Sequence, residues 1–129
     1  MSANFLNVDL EIESSSKPIN IEKEFSMECV SNLFSGTIET HHLSTFELHT
    51  SEEKEHPNGL ISEFCSLIFE LNDEAKKEWR EASRRVFDIG FEVTDSKQMI
   101  STEIKAETLK AVADLGASIN ITIYPDHFE

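Results

Sequence analysis

Four histidines lie close together in the middle of the sequence and are the first candidates for metal chemistry. His41, His42 and His49 fall in one strand-like stretch, and His56 follows. Adjacent strand residues point to opposite faces, as do residues an odd number of positions apart, so His42 should face away from both His41 and His49. The spacing does not match zinc or calcium ligand patterns. We predict exposed histidines, no metal site, and a melting temperature that a chelator leaves unchanged.

Catalytic nucleophiles and cofactor loops leave no recognisable motif in this sequence. A serine nucleophile commonly sits in a glycine-flanked turn such as GxSxG, and the chain has none. Its four glycines are too widely spaced to form a phosphate-binding or dinucleotide-binding loop. The 25 acidic residues make neighbouring carboxylates inevitable, so such pairs alone do not identify acid–base catalysis. We predict no catalytic residue, no cofactor and no enzymatic activity.

The cysteines and the N-terminus bear on the cellular compartment. Cys29 and Cys65 lie far apart among apolar neighbours, which favours reduced core cysteines, with a disulfide as the alternative. The N-terminal residues lack the basic and apolar regions of a secretion signal, and no apolar run is long enough to span a membrane. These features predict a cytoplasmic protein.

Negative charge is the most informative property of the sequence. The chain has 25 acidic residues against 11 Lys and Arg, a formal charge of −14, and residues 1–64 carry 12 of the acids with only three lysines. Such a field disfavours binding to nucleic acid or membrane surfaces and favours a basic protein partner. The acids that could form an early patch are Glu22, Glu24, Glu28, Glu39, Glu47, Glu52, Glu53 and Glu55. The selected partner-binding candidates are Glu39, Glu47, Glu52, Glu53 and Glu55.

The first half of the chain predicts mainly strands. Apolar and polar residues alternate over residues 5–13, as in a strand with one buried face. In residues 19–34 the apolar residues recur at both two- and three-residue spacings, a pattern that fits either a strand or a short helix. Residues 37–50 predict one strand or a hairpin that opens near Gly36 and bends at the adjacent histidines. The polar run 51–59 predicts a loop.

Two helices begin the second half. Apolar residues recur at helical spacing from Leu60, and Asn72 is a suitable N-cap for the next helix. We predict that Arg84 and Arg85 lie at the C-terminal end of this second helix, where its dipole favours cations. Its buried stripe is predicted to consist of Ala75, Trp79, Ala82 and Val86.

A strand over residues 87–93, a last helix and a final strand complete the predicted order. The helix should end at Gly116 and pack through Leu109, Val112 and Ala113; the strand should carry Ile119, Ile121 and Ile123. Burial of Leu109 and Ile121 would make truncation of either to alanine cost roughly 2–5 kcal/mol. Together the elements predict a single α+β domain over residues 1–129, with helices packed on one face of a mainly antiparallel sheet.

The C-terminal part of the sequence shows a family resemblance. Residues Phe87–Val93 read FDIGFEV, and Ala106–Tyr124 read AETLKAVADLGASINITIY. This pattern resembles a bacterial family of small α/β domains of unknown function that end in a helix, Leu-Gly-Ala and an Ile-x-Ile-Tyr strand. Phe46 takes the place of that family's middle-strand tryptophan, and residues 17–36 match the family poorly. These are packing motifs, so the resemblance implies a fold and supplies no catalytic residue.

Small acidic proteins of this kind also look like the immunity proteins of bacterial toxin–immunity pairs. That resemblance implies a non-enzymatic protein that binds and neutralises a cognate basic toxin, with a nuclease favoured and the acidic patch imitating phosphates. One alternative is a small-molecule-binding or housekeeping domain; another is an enzyme using carboxylates or histidine. A pocket with convergent polar groups would favour either alternative, whereas a flat or convex acidic surface would favour the inhibitor.

Overall fold

In the part of the chain that the structure describes, five strands and four α-helices build an α+β fold, which confirms the predicted class. The computed structural model describes residues 4–93 and 99–125. In chain order its elements are β1 (Asn4–Ser14), α1 (Ile19–Glu24), β2 (Val30–Ile38), β3 (His41–Leu48), a 3₁₀ helix (Glu52–Lys54), α2 (Pro57–Phe69), α3 (Asp73–Glu81), β4 (Arg84–Glu92), α4 (Ala106–Asp114) and β5 (Ser118–Tyr124). The strand order is β2-β3-β1-β4-β5, antiparallel except for β4 and β5.

The helices pack on one face of the sheet and enclose the hydrophobic core. Val8, Leu10 and Ile12 of the central strand β1 are at most 1% exposed, as their alternation with polar residues predicts. Aromatic pairs join the layers, and the rings of Phe64 on α2 and Phe87 on β4 lie 5.8 Å apart. None of the described helices is long and apolar enough to cross a membrane.

Residues 19–34, for which the sequence left a strand and a short helix as alternatives, contain a short helix followed by the start of a strand. α1 occupies the first part and β2 begins at Val30. The side chain that caps α1 comes from α3: Glu78 Oε1 accepts hydrogen bonds from the backbone N–H groups of Asn20 (3.0 Å) and Ile21 (2.9 Å). A carboxylate there satisfies the free N–H groups of the first turn. Because the cap lies far away in sequence, local spacing could not reveal the helix.

Residues 37–50 contain the end of β2, a turn and β3, so the hairpin prediction is confirmed only in part: its first strand lies mostly before residue 37, and its turn lies elsewhere. The chain turns at Glu39 and Thr40, between β2 and β3, while Gly36 lies inside β2. Glu39 has a φ of 55°, in the left-handed region that glycine and asparagine adopt most easily. The loop expected at 51–59 contains the 3₁₀ helix, and α2 already begins at Pro57, a residue well suited to the first helical turn.

The predicted extension of the second helix to Val86 is wrong. α3 starts after Asn72, whose Oδ1 accepts a hydrogen bond from Ala75 N–H as expected of an N-cap, but it ends at Glu81. Ser83 N–H donates to the Glu13 carbonyl, 2.8 Å away, which draws the chain into the sheet beside β1. Pairing with an existing strand therefore outweighs continued helix, and Val86 lies in β4.

Arg84 and Arg85 begin β4 instead of ending the helix. Arg85 nevertheless binds the C-terminal carbonyls of α3 from the strand: its Nη1 donates to Trp79 O at 2.8 Å and to Ala82 O at 3.0 Å. Its Nε donates to Gly116 O at 3.0 Å. One guanidinium thus joins the end of α3 to the turn between α4 and β5.

The predicted burial of Leu109 and Ile121 is also wrong. Leu109 is 47% exposed and Ile121 is 58% exposed. α4 turns Thr108 and Val112 toward the core instead, and Ala113 is exposed as well. Ile121 stands on β5, an edge strand that the helices cover only in part.

These exposures change the expected cost of truncation. We expect Leu109→Ala and Ile121→Ala each to lower the free energy of unfolding by less than about 1 kcal/mol. Much of each side chain already contacts water in the folded protein, so truncation removes little buried apolar surface and leaves no internal cavity. Urea denaturation of both variants measures this. A loss above about 2 kcal/mol in either variant would contradict the exposed positions.

Both cysteines are free, as predicted. Cys29 packs partly against the core, and Cys65 lies within it. Burial raises the pKa of the Cys65 thiol to about 11. The thiol is therefore protonated and unreactive at neutral pH, consistent with a packing role.

Candidate functional site

The sheet face opposite the helices bears a cluster of carboxylates, here called the acidic face. Its members are Asp9, Glu11 and Glu13 on β1, Glu47 on β3 and Asp88 on β4. β1 lies between β3 and β4, so Asp9 is in register with Glu47 on one side and with Asp88 on the other. Cross-strand neighbours on one face lie close enough to interact directly, and like charges there destabilise.

Asp9 is at the centre of this repulsion. Burial is the largest cause raising its pKa, followed by the charges of Glu47, Asp88 and Glu11, and together they raise it to about 6. Its Oδ1 atom is buried and accepts no hydrogen bond from the described residues. The pKa of Glu11 is raised as well, first by burial and then by Asp88, with Arg84 opposing.

The carboxylates around Asp9 have partners of their own. Glu47 Oε2 accepts a hydrogen bond from Asn7 Nδ2 at 3.1 Å. Asp88 Oδ1 accepts one from Thr122 Oγ1 at 2.8 Å and one from Asn120 Nδ2 at 3.0 Å. The centre therefore holds negative charge and unused acceptor capacity, which a guanidinium or ammonium group would complement.

Arg84 provides the opposite charge at one end of the acidic face. Its Nη1 lies 3.3 Å from Glu13 Oε2 and 3.5 Å from Glu11 Oε1. Within residues 4–93 and 99–125, His, Cys, Asp and Glu side chains do not assemble in threes that could hold a metal ion.

Replacing Asp9 by Asn should stabilise the folded protein. Because its pKa is raised by folding, ionised Asp9 opposes folding, and this cost grows as pH rises from the ordinary value of 3.8 through about 6. After allowance for solvent screening, we expect Asp9→Asn to add about 1–2 kcal/mol to the free energy of unfolding at pH 7.5.

Urea denaturation at about pH 3 and about pH 7.5 tests this, since the gain should be small at the lower pH, where Asp9 is largely protonated in both the folded and the unfolded state. Glu74→Gln removes an exposed charge from α3 and is the control. A gain that is equal at both pH values, or equal in the control, would show that the charge of Asp9 is not its cause.

The five partner-binding candidates occupy different places. Glu47 belongs to the acidic face, and Glu39 lies at the β2–β3 turn. Glu52 and Glu53 lie in the exposed 3₁₀ helix, and Glu55 follows it, accepting a hydrogen bond from Thr50 N–H at 3.3 Å. The structure thus groups these last three glutamates, while the length of β3, roughly 25 Å, separates them from Glu39.

Glu22 is not part of a surface patch, contrary to the wider set of early acids. Its Oε2 accepts hydrogen bonds from Ser35 Oγ at 2.7 Å and Ser44 Oγ at 2.8 Å, and lies 3.5 Å from His42 Nε2. Burial raises the pKa of Glu22, but these contacts and the charge of Lys17 outweigh it, and the net shift is downward. Glu22 attaches α1 to the sheet.

His42 is an exception to the predicted exposure of the histidines. It is 8% exposed and faces the helices, whereas His41, His49 and His56 are exposed. The predicted opposite orientation of His41 and His42 is therefore confirmed. Alternation fixed the face of His42, but that α1 covers this face could not be read from the sequence.

No family model, curated protein or solved structure matches this chain. Of what the family resemblance implies, the structure shows only the general fold, a small domain of helices and a mixed sheet. A functional interpretation therefore depends on the surfaces of this molecule.

The central residues Asp9, Glu11, Glu13 and Asp88 were not among the candidates. Alternation in residues 5–13 and 87–93 already placed these acids on the polar faces of two strands. What the sequence did not show was that the two strands are neighbours and present these faces on the same side.

A polar cleft on the helical side bears on the small-molecule alternative. It has a volume of about 350 Å³ and lies beside the loop after β1. Lys17 and Lys77 share its wall with Glu74, Glu78 and Glu81, and the Glu78 carboxylate already caps α1. Cations and anions are mixed along the wall, so the cleft lacks a dominant charge to select a ligand.

Proposed function

We propose that this chain is a non-enzymatic protein of the immunity type, which binds and neutralises a basic protein toxin, with a nuclease favoured. The observation that carries the proposal is the uncompensated carboxylate of Asp9 at the centre of the acidic face. An arginine or lysine of the partner would supply the missing donor, lower the raised pKa and remove part of the repulsion. Binding would thus recover a free-energy cost present in the unbound protein.

The charge of the face also fits a nucleic-acid-cleaving partner. Such a toxin needs cationic side chains to hold phosphates, and carboxylates accept hydrogen bonds from arginine with the same charge and a matching fork geometry. Electrostatic attraction of this kind accelerates association and weakens as salt is added.

Apolar side chains flank the acidic face, as in many protein interfaces. Phe34 on β2 is in register with Thr45 of β3 and is 43% exposed. Tyr124, at the other side of the sheet, is 44% exposed and lies near Gly90 on the same face. Aromatic residues are frequent among the few side chains that contribute most of the binding free energy at protein–protein interfaces.

The polar cluster around His42 gives little support to the enzyme alternative. In a Ser-His-acid triad the acid holds one imidazole nitrogen and the serine contacts the other. Here Ser35 Oγ lies 3.0 Å from His42 Nε2, and Glu22 approaches that same nitrogen. The Ser35 hydroxyl donates to Glu22, so histidine is not placed to activate it as a base.

The test compares two triple variants that each remove three negative charges. Asp9→Asn, Glu47→Gln and Asp88→Asn together neutralise the centre of the acidic face. Glu74→Gln, Glu81→Gln and Glu107→Gln neutralise exposed positions on α3 and α4 and form the matched control. A basic protein captured from the native host is identified, purified and used to measure association rates and protection of cells against it.

We expect the acidic-face variant to associate at least about tenfold more slowly and to lose protection, with the control close to wild type. A third variant, Glu52→Gln with Glu53→Gln and Glu55→Gln, reports whether the 3₁₀ helix contributes to steering. Equal losses in the acidic-face and control variants, or binding that is indifferent to salt, would refute the proposal.

A further inference from the structure

The edge strand β5 presents an uncharged surface on a strongly acidic protein. Its sequence, SINITIY, has no charged residue, proline or glycine, whereas the chain as a whole carries −14. Ile121 and Ile123 are 58% and 61% exposed. Among the described residues, β5 pairs only with β4, so its outer backbone edge is unpartnered there. Edges with this composition pair readily with a further strand.

The opposite edge of the sheet is less suited to such pairing. β2 is also uncharged, but its register shifts between Asn32 and Phe34, and Gly36 interrupts it. Irregularities of this kind protect an edge by disturbing its row of hydrogen-bonding groups. The register of β5 with β4 runs without a shift from Ser118 to Tyr124.

The geometry points to a second copy of this chain as the occupant of the β5 edge, paired antiparallel about a two-fold axis at Ile121. The absence of charge on β5 favours this partner. An uncharged strand does not attract a basic protein electrostatically, but two copies of a chain of charge −14 can meet there without carboxylates facing each other at the contact. The uncharged, regular edge is thus the part of the described sheet where self-association costs least.

The strand is self-complementary in this register. Ile121 lies opposite Ile121 of the second copy, and Ile119 lies opposite Ile123, which places isoleucines together on the helix-facing side. Asn120 lies opposite Thr122 on the other side, so polar residues meet polar residues. A closed two-fold contact of this kind stops at two copies and continues the sheet through both.

Sedimentation velocity of the wild-type chain tests the inference, which is independent of the proposed function. We expect a monomer–dimer equilibrium at about 50 µM chain, because a single strand pair gives a small interface. Added salt should strengthen the dimer by screening repulsion between the two acidic chains, opposite in sign to its effect on a basic partner. Amide exchange in β5 should slow as protein concentration rises.

Single lysine substitutions provide the matched comparison. Ile121→Lys should weaken the dimer at least about tenfold, since two ammonium groups would face each other at the axis. Ile123→Lys is a second variant at an equally exposed position. Ile38→Lys, at a 51% exposed isoleucine on β2, adds the same charge at the opposite edge and should leave the dimer intact.

The inference is overturned if the wild-type chain stays monomeric up to about 200 µM at both low and high salt. It also fails if both β5 variants dimerise as strongly as wild type, or if Ile38→Lys weakens the dimer equally. Thermal denaturation of each variant establishes that it is folded before its association is measured.

Discussion

Replacing Phe46 by alanine should lower the free energy of unfolding by about 3–5 kcal/mol. Phe46, on β3, is 0% exposed, and its ring meets that of Phe25 edge-on with centroids 5.1 Å apart. It also lies beside Leu10 of the central strand. Truncation leaves a cavity where two sheet strands and the segment after α1 meet, and the packed surroundings cannot close it.

Urea denaturation of Phe46→Ala against wild type measures this loss. Phe69→Ala is the matched control, because Phe69 ends α2 and is 49% exposed, and we expect it to cost less than about 1 kcal/mol. Similar losses at the two positions would mean that Phe46 does not occupy the centre of the core.

The second large effect is expected at Arg85. Arg85→Ala should cost about 2–4 kcal/mol, because it removes charge-assisted hydrogen bonds to Trp79 O, Ala82 O and Gly116 O. The guanidinium also lies 5.8 Å from the centre of the Trp79 ring. These contacts connect the start of β4 to the end of α3 and to the turn between α4 and β5.

Arg84→Ala is the control for this experiment, since it changes the same residue type one position away. Arg84 is exposed and pairs with Glu11 and Glu13 at the surface, so its loss should cost at most about 1 kcal/mol. Chemical denaturation of both variants gives the comparison. If Arg84→Ala proves as costly as Arg85→Ala, the carbonyl contacts of Arg85 are not what stabilises this corner.

Strand and helix periodicity predicted most of the fold correctly. β1 and β4 were recognisable because each has one face in the core and one outside, and this is the condition under which alternation appears. Asn72 identified the start of α3 because its cap is local, three residues from the N–H group that it binds.

The errors arose where a distant element decides the local structure. Leu109 fits the apolar spacing of a helix and Ile121 that of a strand, but whether another element covers them depends on the strand order. β5 is an edge strand, so Ile121 is covered only in part. The acidic face was missed for the same reason. Residues 5–13 and 87–93 were each predicted to have a polar face, but the sequence did not show that the two strands are neighbours in the sheet. Glu47 was selected from charge density alone, without the neighbours that determine its surroundings.

The central position of β1 has a consequence for biosynthesis. β1 is synthesised before both of its partners, β3, which ends at Leu48, and β4, which ends at Glu92. A nascent chain therefore carries β1, with its one apolar face, without both partner strands until β4 has been synthesised, and pairing between such distant segments is intrinsically slow. On the ribosome, the alternating acids of β1 keep this waiting segment charged and resist its association with other unfinished chains.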